Sequence, residues 1–457
     1  MRLIYNVKGF LIMFIKRYIL VVFSMLLFFY SPLFSKHISL KSKTEFKSSL
    51  EVKSFDNVEL LNLISKEEIP ITSTFYQISE GMDLDVSYSY QKGPIEIIDF
   101  PMEDYLLDSG YEIGENGNFP KNNLIVSEPQ IFRGLVLKQI VFIPFTYNIE
   151  TKELVSLENI QITVNQIPSD LNIDYRDLKL SRAFEPLYES LVINYQRSDR
   201  EEDYQAPSIL YICGGSSMSH PYVQDLLEWR HKTGYIVNAA STGDIGGSGT
   251  AAVKNYIQDA YDNWENPPEI VGLIGDTGGS YSIGYYTEGW SGYNGAGDFP
   301  YCQLDGSDLL PEVFIGRISV NSSSDLSNVI NKTLAYEKAT NINQTGTDWY
   351  EKASIVGDPS SSGNSTMITG EYIENILDVY GFEDVNTNFG NGNYDNWLEN
   401  ELENGTLYMS YRGYYGASGF GSSEINGANN GYQTPFASFI TCGTGDFNYT
   451  ALSEELF

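Results

Sequence analysis

At 457 residues the chain is long enough for two or three domains with substantial cores. Its formal charge of −32 and isoelectric point near 4.3 argue against nucleic acid or anionic membrane surfaces as partners. Aromatic residues make up 14% of it, unlike disordered acidic chains, so the acidity suits a soluble exported protein.

At the N-terminus, Lys16-Arg17 precedes the apolar run 18–30, then Ser31-Pro32 and Ser35. A basic stretch, an apolar run too short to span a bilayer and a small-residue zone predict a signal peptide over residues 1–35, with an uncleaved anchor as the alternative. A start at Met13 would give a more usual signal, which makes residues 1–12 an over-extended start. Either way the chain is expected to be secreted or held at the cell surface. Residues 36–196 alternate short apolar runs with polar turns, and 124–126, 139–143 and 160–164 read as strands of an all-β domain. The run Arg197-Ser198-Asp199-Arg200-Glu201-Glu202-Asp203 has charge but no periodicity, and 197–206 is read as an exposed linker open to proteolysis.

From Pro207 the texture changes to strand–helix alternation. Strands are predicted at 208–213, 235–239, 269–275 and 312–319. Helices are predicted at 221–230 (Val223, Leu226 and Leu227 inward), at 250–264 (Val253, Tyr256, Ile257 and Ala260 inward) and through Leu326, Val329, Ile330 and Leu334. These make one α/β half, 207–340, and a polar connector follows. A second half, 348–457, opens with the strand Ala353-Ser354-Ile355-Val356-Gly357 and Asp358. Helices at 366–380 and 394–403 come next, then two strands at 407–416 and 436–440. Phe436-Ala437-Ser438-Phe439-Ile440 reads as a central strand, apolar on both faces. The chain stops at Phe457, in the helix expected after that strand, which predicts a sequence truncated at its C-terminus.

The three cysteines, Cys213, Cys302 and Cys442, are too few for a disulfide framework, and an odd count leaves one thiol free. Cys213 ends an apolar strand and is expected in the core; Cys302 lies in an aspartate-rich loop. Cys442 differs: it closes a strand and is followed by Gly443 and Gly445. That is the edge at which open α/β sheets bind ligands, with glycines that let backbone N–H groups approach a reacting carbonyl. No serine-hydrolase elbow, Walker loop, zinc spacing or dinucleotide fingerprint is present. No cofactor is required by this pattern. Calcium is left open by the acidity alone, since no Asp/Glu cluster has the spacing of a known calcium loop.

Cys442, Gly445, Asp446 and Phe447, together with Tyr411 and Gly413 on the preceding strand, resemble the gingipain family of cysteine peptidases. In that family one strand ends in Tyr-x-Gly-His-Gly and the next in Cys-x-x-Gly-Asp-Phe. A second match runs through Asp298, Tyr301, Asp305-Gly306, Asp308 and Pro311 to Arg317, and Phe132-Arg133-Gly134 with Pro144 and Tyr147-Asn148 resembles the family's propeptide. The resemblance implies an α/β caspase-like catalytic domain of two sheet-and-helix halves, preceded by an all-β propeptide domain that inhibits until removed. It implies Cys442 as nucleophile, the backbone N–H groups of Cys442 and Tyr415 as oxyanion donors, and Asp358 at the position of the acid that orients the histidine. The histidine position itself is Tyr414, and His37, His220 and His231 lie elsewhere in the sequence. Thr366 falls where arginine-specific members carry an aspartate, so strong preference for arginine is not expected. Protein or peptide substrates, and the chain's own propeptide, are the implied partners. Two other readings stay open: a pseudopeptidase with a protein-binding role, favoured by Tyr414, and an adhesive surface protein, suggested by abundant Tyr, Asn and Gly.

Overall fold

A computed structural model describes residues 47–52, 71–99, 112–171, 173, 176–290, 293–390 and 394–456. The expected signal peptide and His37 lie outside the described residues. The chain divides into two compact units, one formed by the described residues up to Gln205 together with Asp305–Glu312, the other by Ala206–Leu304 together with the described residues from Val313 onward.

The first unit is built from antiparallel strands: β1 (Lys47–Val52), β2 (Thr72–Gln77), β3 (Met82–Ile97), β4 (Asn118–Phe119), β5 (Leu124–Val126), β6 (Gln130–Phe132), β7 (Leu135–Phe142), β8 (Phe145–Asn148) and β9 (Glu153–Pro168). One sheet centres on β9, which pairs with β1, β3 and β8, and β4 joins β8; the other centres on β7, with β2, β5 and β6. Alternation along β9 sends Ile160, Ile162 and Val164 inward against Ile140 and Phe142 of β7 and Tyr76 of β2, so apolar faces of both sheets share one core. Helix α1 (Glu185–Leu191) was not expected in this region; it buries Leu187 and Tyr188 against Phe132. Glu185 of α1 binds Arg197, while Arg182 pairs with Glu201 and lies over the Tyr204 ring at 3.4 Å. The charged run 197–203 is thus tied down by ion pairs, with Arg200 still two-thirds exposed. Residues 305–312 complete this unit. Ile131 N donates to Asp308 Oδ2 at 2.7 Å, and the buried Arg133 guanidinium donates to Glu312 O and, at 2.9 Å, to Gln205 Oε1.

The second unit holds two four-stranded parallel sheets. The first comprises β10 (Ser208–Cys213), β11 (Ile236–Ser241), β12 (Ile270–Ile274) and β15 (Phe314–Ile318), in the order β11-β10-β12-β15; between β12 and β15 stands an antiparallel hairpin, β13 (Tyr286–Trp290) and β14 (Tyr293–Gly297). Helices α2 (Pro221–Lys232), α3 (Thr250–Asn263) and α4 (Ser323–Glu337) accompany it. Val223 and Leu226 of α2 meet Leu326, Val329, Ile330 and Leu334 of α4 over Ile209, Tyr211 and Cys213. On α3 the inward row is Val253, Ile257, Ala260 and Tyr261; Tyr256, expected inward, is half-buried and packs edge-on to Trp264.

The second sheet comprises β16 (Lys352–Gly357), β17 (Asp384–Asn388), β18 (Tyr408–Tyr415) and β19 (Phe436–Cys442), in the order β17-β16-β18-β19. It carries α5 (Ser365–Val379), α6 (Asp395–Glu403), α7 (Ser422–Gly427) and α8 (Leu452–Leu456). Leu398 and Leu402 of α6 pack on Val356, Met409 and Tyr411. Among the described strands β19, expected to be central, has β18 as its one neighbour, and Phe436 and Phe439 are half-buried. The expected α/β fold of two sheet-and-helix halves, preceded by a β-rich domain, is what the structure shows.

Candidate active site

Both sheets are parallel, so their carboxyl edges gather loops where ligands bind in open α/β folds. Cys442 closes β19 at such an edge and is exposed. Its neighbour across the ladder is Tyr415, the last residue of β18, and Gly416 N donates to Cys442 O at 2.8 Å. The register slips between Arg412 and Tyr415, a bulge that re-aims the strand end beside the thiol. Gly443 follows at φ +80°, and a Cβ there would meet the Tyr415 ring at 2.9 Å. Glycine is therefore required on two counts, backbone conformation and room. The two residues expected to supply oxyanion N–H groups, Tyr415 and Cys442, are brought side by side.

The turn after the thiol is anchored at three points. Thr441 Oγ1 donates to Gly416 O at 2.9 Å, and Ser453 N to Thr444 O at 3.0 Å. Asp446 Oδ1 accepts from Ala296 N on β14 at 2.9 Å. Phe447 lies under the Arg317 guanidinium, 4.8 Å from the ring centre. Arg317 in turn is nearly inaccessible and forks onto Asp298 through Nε and Nη2, at 2.8 and 2.7 Å. Its remaining donors reach the carbonyls of Gly275, Ile283 and Gly284. The two sequence patterns that first drew attention, 298–317 and 441–447, thus meet in space. Composition gave no hint that Asp446 and Arg317 serve as anchors.

Tyr414, one residue before Tyr415, is half exposed at the end of β18. Asp358, just past β16, is buried with its carboxylate fully engaged. Oδ1 accepts from Ser360 N (3.0 Å) and Ser360 Oγ (2.6 Å), and Oδ2 accepts from Tyr411 OH (2.8 Å) and Ser418 Oγ. Burial pushes its pKa up, but the bonds from Ser360, Ser418 and Tyr411 outweigh this and hold it below the usual carboxylate range. Ser360, Tyr411 and Ser418 are partners that sequence reading missed; Ser418 carries no signal, since it sits in a left-handed conformation (φ 41°) within a loop. Thr366 is wholly buried in the first turn of α5, its Oγ1 donating to Gly363 O at 3.0 Å. It stands against Gly357, where a Cβ would meet its carbonyl oxygen at 2.7 Å.

The other thiols are placed differently. Cys213 is in the core, as expected, and burial pushes its pKa up to about 12; Cys302 is buried, with Sγ donating to Phe299 O. Among the described residues no group of His, Cys, Asp and Glu is gathered for a metal ion, and no helix is long and apolar enough to cross a membrane. A cavity of about 990 Å³ adjoins the turn, lined by Phe447, Asn448, Tyr449, Asp276, Ser319 and Lys332 among others, but Cys442 is not in its wall.

The sequence model of peptidase family C25 matches residues 202–457, over half the chain, and that of the C25 propeptide matches 96–181. The chain belongs to peptidase family C25. Among curated C25 relatives, gingipain R2 of Porphyromonas gingivalis is 27% identical over 355 residues, covering 74% of this chain and 47% of that protein. Lys-gingipain of the same species is 26% identical over 246 residues, covering 51% of this chain and 13% of the relative. The chain thus spans about half the length, or less, of the curated relatives it matches. A crystal structure of the arginine-specific cysteine proteinase gingipain R aligns with a TM-score of 0.47 at 24% identity, over 57% of this chain and 60% of the other.

Proposed function

We propose that this C25 chain is an exported cysteine endopeptidase made as a zymogen, with Cys442 as nucleophile. The observation that carries this reading is the exposed thiol at the carboxyl edge of β19, paired with Tyr415 and followed by a glycine turn. The Cys442 thiolate attacks the scissile carbonyl, forming an S–C bond while the carbonyl electron pair moves to oxygen. The N–H groups of Cys442 and Tyr415 face that developing charge. Collapse expels the amine, which takes its proton from solvent or through Tyr414, and water then hydrolyses the thioester. The chemistry draws on no cofactor. Thr366, neutral and buried, offers no partner for a guanidinium, so arginine is not the favoured residue before the cut.

A second reading, a pseudopeptidase with a protein-binding role, is favoured by Tyr414 and by the saturated carboxylate of Asp358. Labelling separates the two. A peptidyl chloromethyl ketone at neutral pH is expected to alkylate Cys442 at least about tenfold faster than Cys213, reflecting access and thiolate fraction, with Cys442→Ala abolishing both labelling and hydrolysis. Slow, equal labelling of the three thiols would remove the nucleophile assignment.

We further propose that the N-terminal β domain inhibits the peptidase until the chain is cut in the charged linker. Limited trypsin digestion is expected to cut first after Arg197 or Arg200, because Arg200 is exposed and its pairs with Glu202 and Asp203 are surface pairs worth about 1 kcal/mol or less. Early cuts within residues 210–340, seen by mass spectrometry, would move the boundary.

A further inference from the structure

Arg412 lies on β18 two residues before Tyr414, and its side chain is half-buried. Nη1 donates to Gly413 O at 2.7 Å and to Ile440 O at 3.3 Å, which turns the guanidinium onto β19, two residues short of Cys442. Arg412 has no carboxylate within ion-pair distance among the described residues. Burial pushes its pKa down, while the charge of Cys442 pulls it back up. A guanidinium stays protonated under all ordinary conditions, and leaving it desolvated without an anion is costly. The group coupled to it that can become an anion is the Cys442 thiol. The carboxylates of Asp358 and Asp446 are committed elsewhere. Asp358 is held by Ser360, Tyr411 and Ser418, and Asp446 by Ala296 N.

We propose that the Arg412 guanidinium stabilises the Cys442 thiolate, supplying a fixed positive charge to the nucleophile. The proposal rests on the reading of Cys442 as nucleophile. Arg412 is then a positioning residue: it favours the reactive form of the thiol but takes up no proton, so the leaving amine is protonated by solvent or through Tyr414.

Alkylation by iodoacetamide tests this without requiring peptidase activity. The thiolate displaces iodide, an S–C bond forms, and the thiol proton goes to solvent, so the rate follows the thiolate fraction. Arg412→Gln keeps an N–H donor for the Gly413 and Ile440 carbonyls but removes the charge, and Arg412→Lys keeps the charge. The expected result is a parent rate at Cys442 that levels off at lower pH than that of a free cysteine peptide. In Arg412→Gln the rate near pH 6 should fall about tenfold, the profile moving up by about one pH unit to the same plateau, while Arg412→Lys stays within about threefold of the parent. A Gln profile that superimposes on the parent, or a Lys variant that falls as far as Gln, would overturn the proposal. Should Arg412→Gln fail to fold, judged by its circular-dichroism melt, the parent profile decides: levelling off no earlier than the free peptide overturns the proposal. Failure of the nucleophile reading looks different, because Cys442 then labels no faster than Cys213 or Cys302 at any pH.

Discussion

Tyr414→His raises peptidase activity at least about tenfold, with Cys442→Ala inactive in either background. A phenol titrating near pH 10 is a poor proton acceptor at neutral pH, whereas an imidazole there supplies general-base catalysis worth about 10²–10⁴-fold. The gain should fall at the low end of that range, because the carboxylate that would orient the ring is already spoken for. Asp358 accepts from Ser360 through Oδ1 and from Tyr411 and Ser418 through Oδ2, which leaves no lone pair aimed at a new imidazole. Pairing Tyr414→His with Ser418→Ala frees one acceptor position and should add to the gain. Hydrolysis of a mixed peptide library, followed by mass spectrometry, reads both. Strong activity in the natural chain that Tyr414→His lowers would show that proton transfer runs through another group, and silence in all variants would favour the pseudopeptidase.

Arg317→Met destabilises the second unit by about 3–5 kcal/mol. The substitution leaves Asp298, itself only about a tenth exposed, without its bidentate partner, and breaking one side of a buried pair costs this much because a charge stays buried. Three carbonyls, of Gly275, Ile283 and Gly284, lose donors as well. For a unit of this size the melting temperature should drop by roughly 6–20 °C, read by calorimetry against Arg317→Lys. The loss should reach the candidate site, since Phe447 of the turn after Cys442 rests under the same guanidinium. A shift below about 2 °C would mean that Asp298 takes up a proton or water at little cost.

The α/β part of the chain was largely legible because buried parallel strands are written as continuous apolar runs. Residues 208–213 and 353–357 announce β10 and β16 in this way, and the spacing of Leu326, Val329, Ile330 and Leu334 announces α4. The long β3 was not legible, because its residues are mostly exposed and include Ser, Tyr, Asp and Lys, so no apolar alternation marks it. The β13–β14 hairpin is rich in glycine and drew no strand prediction, though it supplies Ala296 N to Asp446. At the site, Cys442 was readable from its strand end and flanking glycines. Ser418 was invisible. Ion pairs such as Arg197 with Glu185 cannot be read from a charged run, because sequence does not name the partner. Among the described strands β19 has one neighbour, β18, on which Phe436 and Phe439 stack through Tyr408 and Tyr411.

The passage of residues 305–312 into the first unit has a consequence in time. During synthesis Arg133 and Gln205 leave the ribosome long before Glu312, whose carbonyl the guanidinium binds. At about 5–20 residues per second, the stretch between Gln205 and Glu312 takes roughly 5–20 s to make. For that interval the nascent β domain holds a guanidinium and the Ile131 N–H that await Glu312 and Asp308. Its completion is therefore clocked by the translation of residues 206–312, so the first unit cannot mature before much of the second has been made.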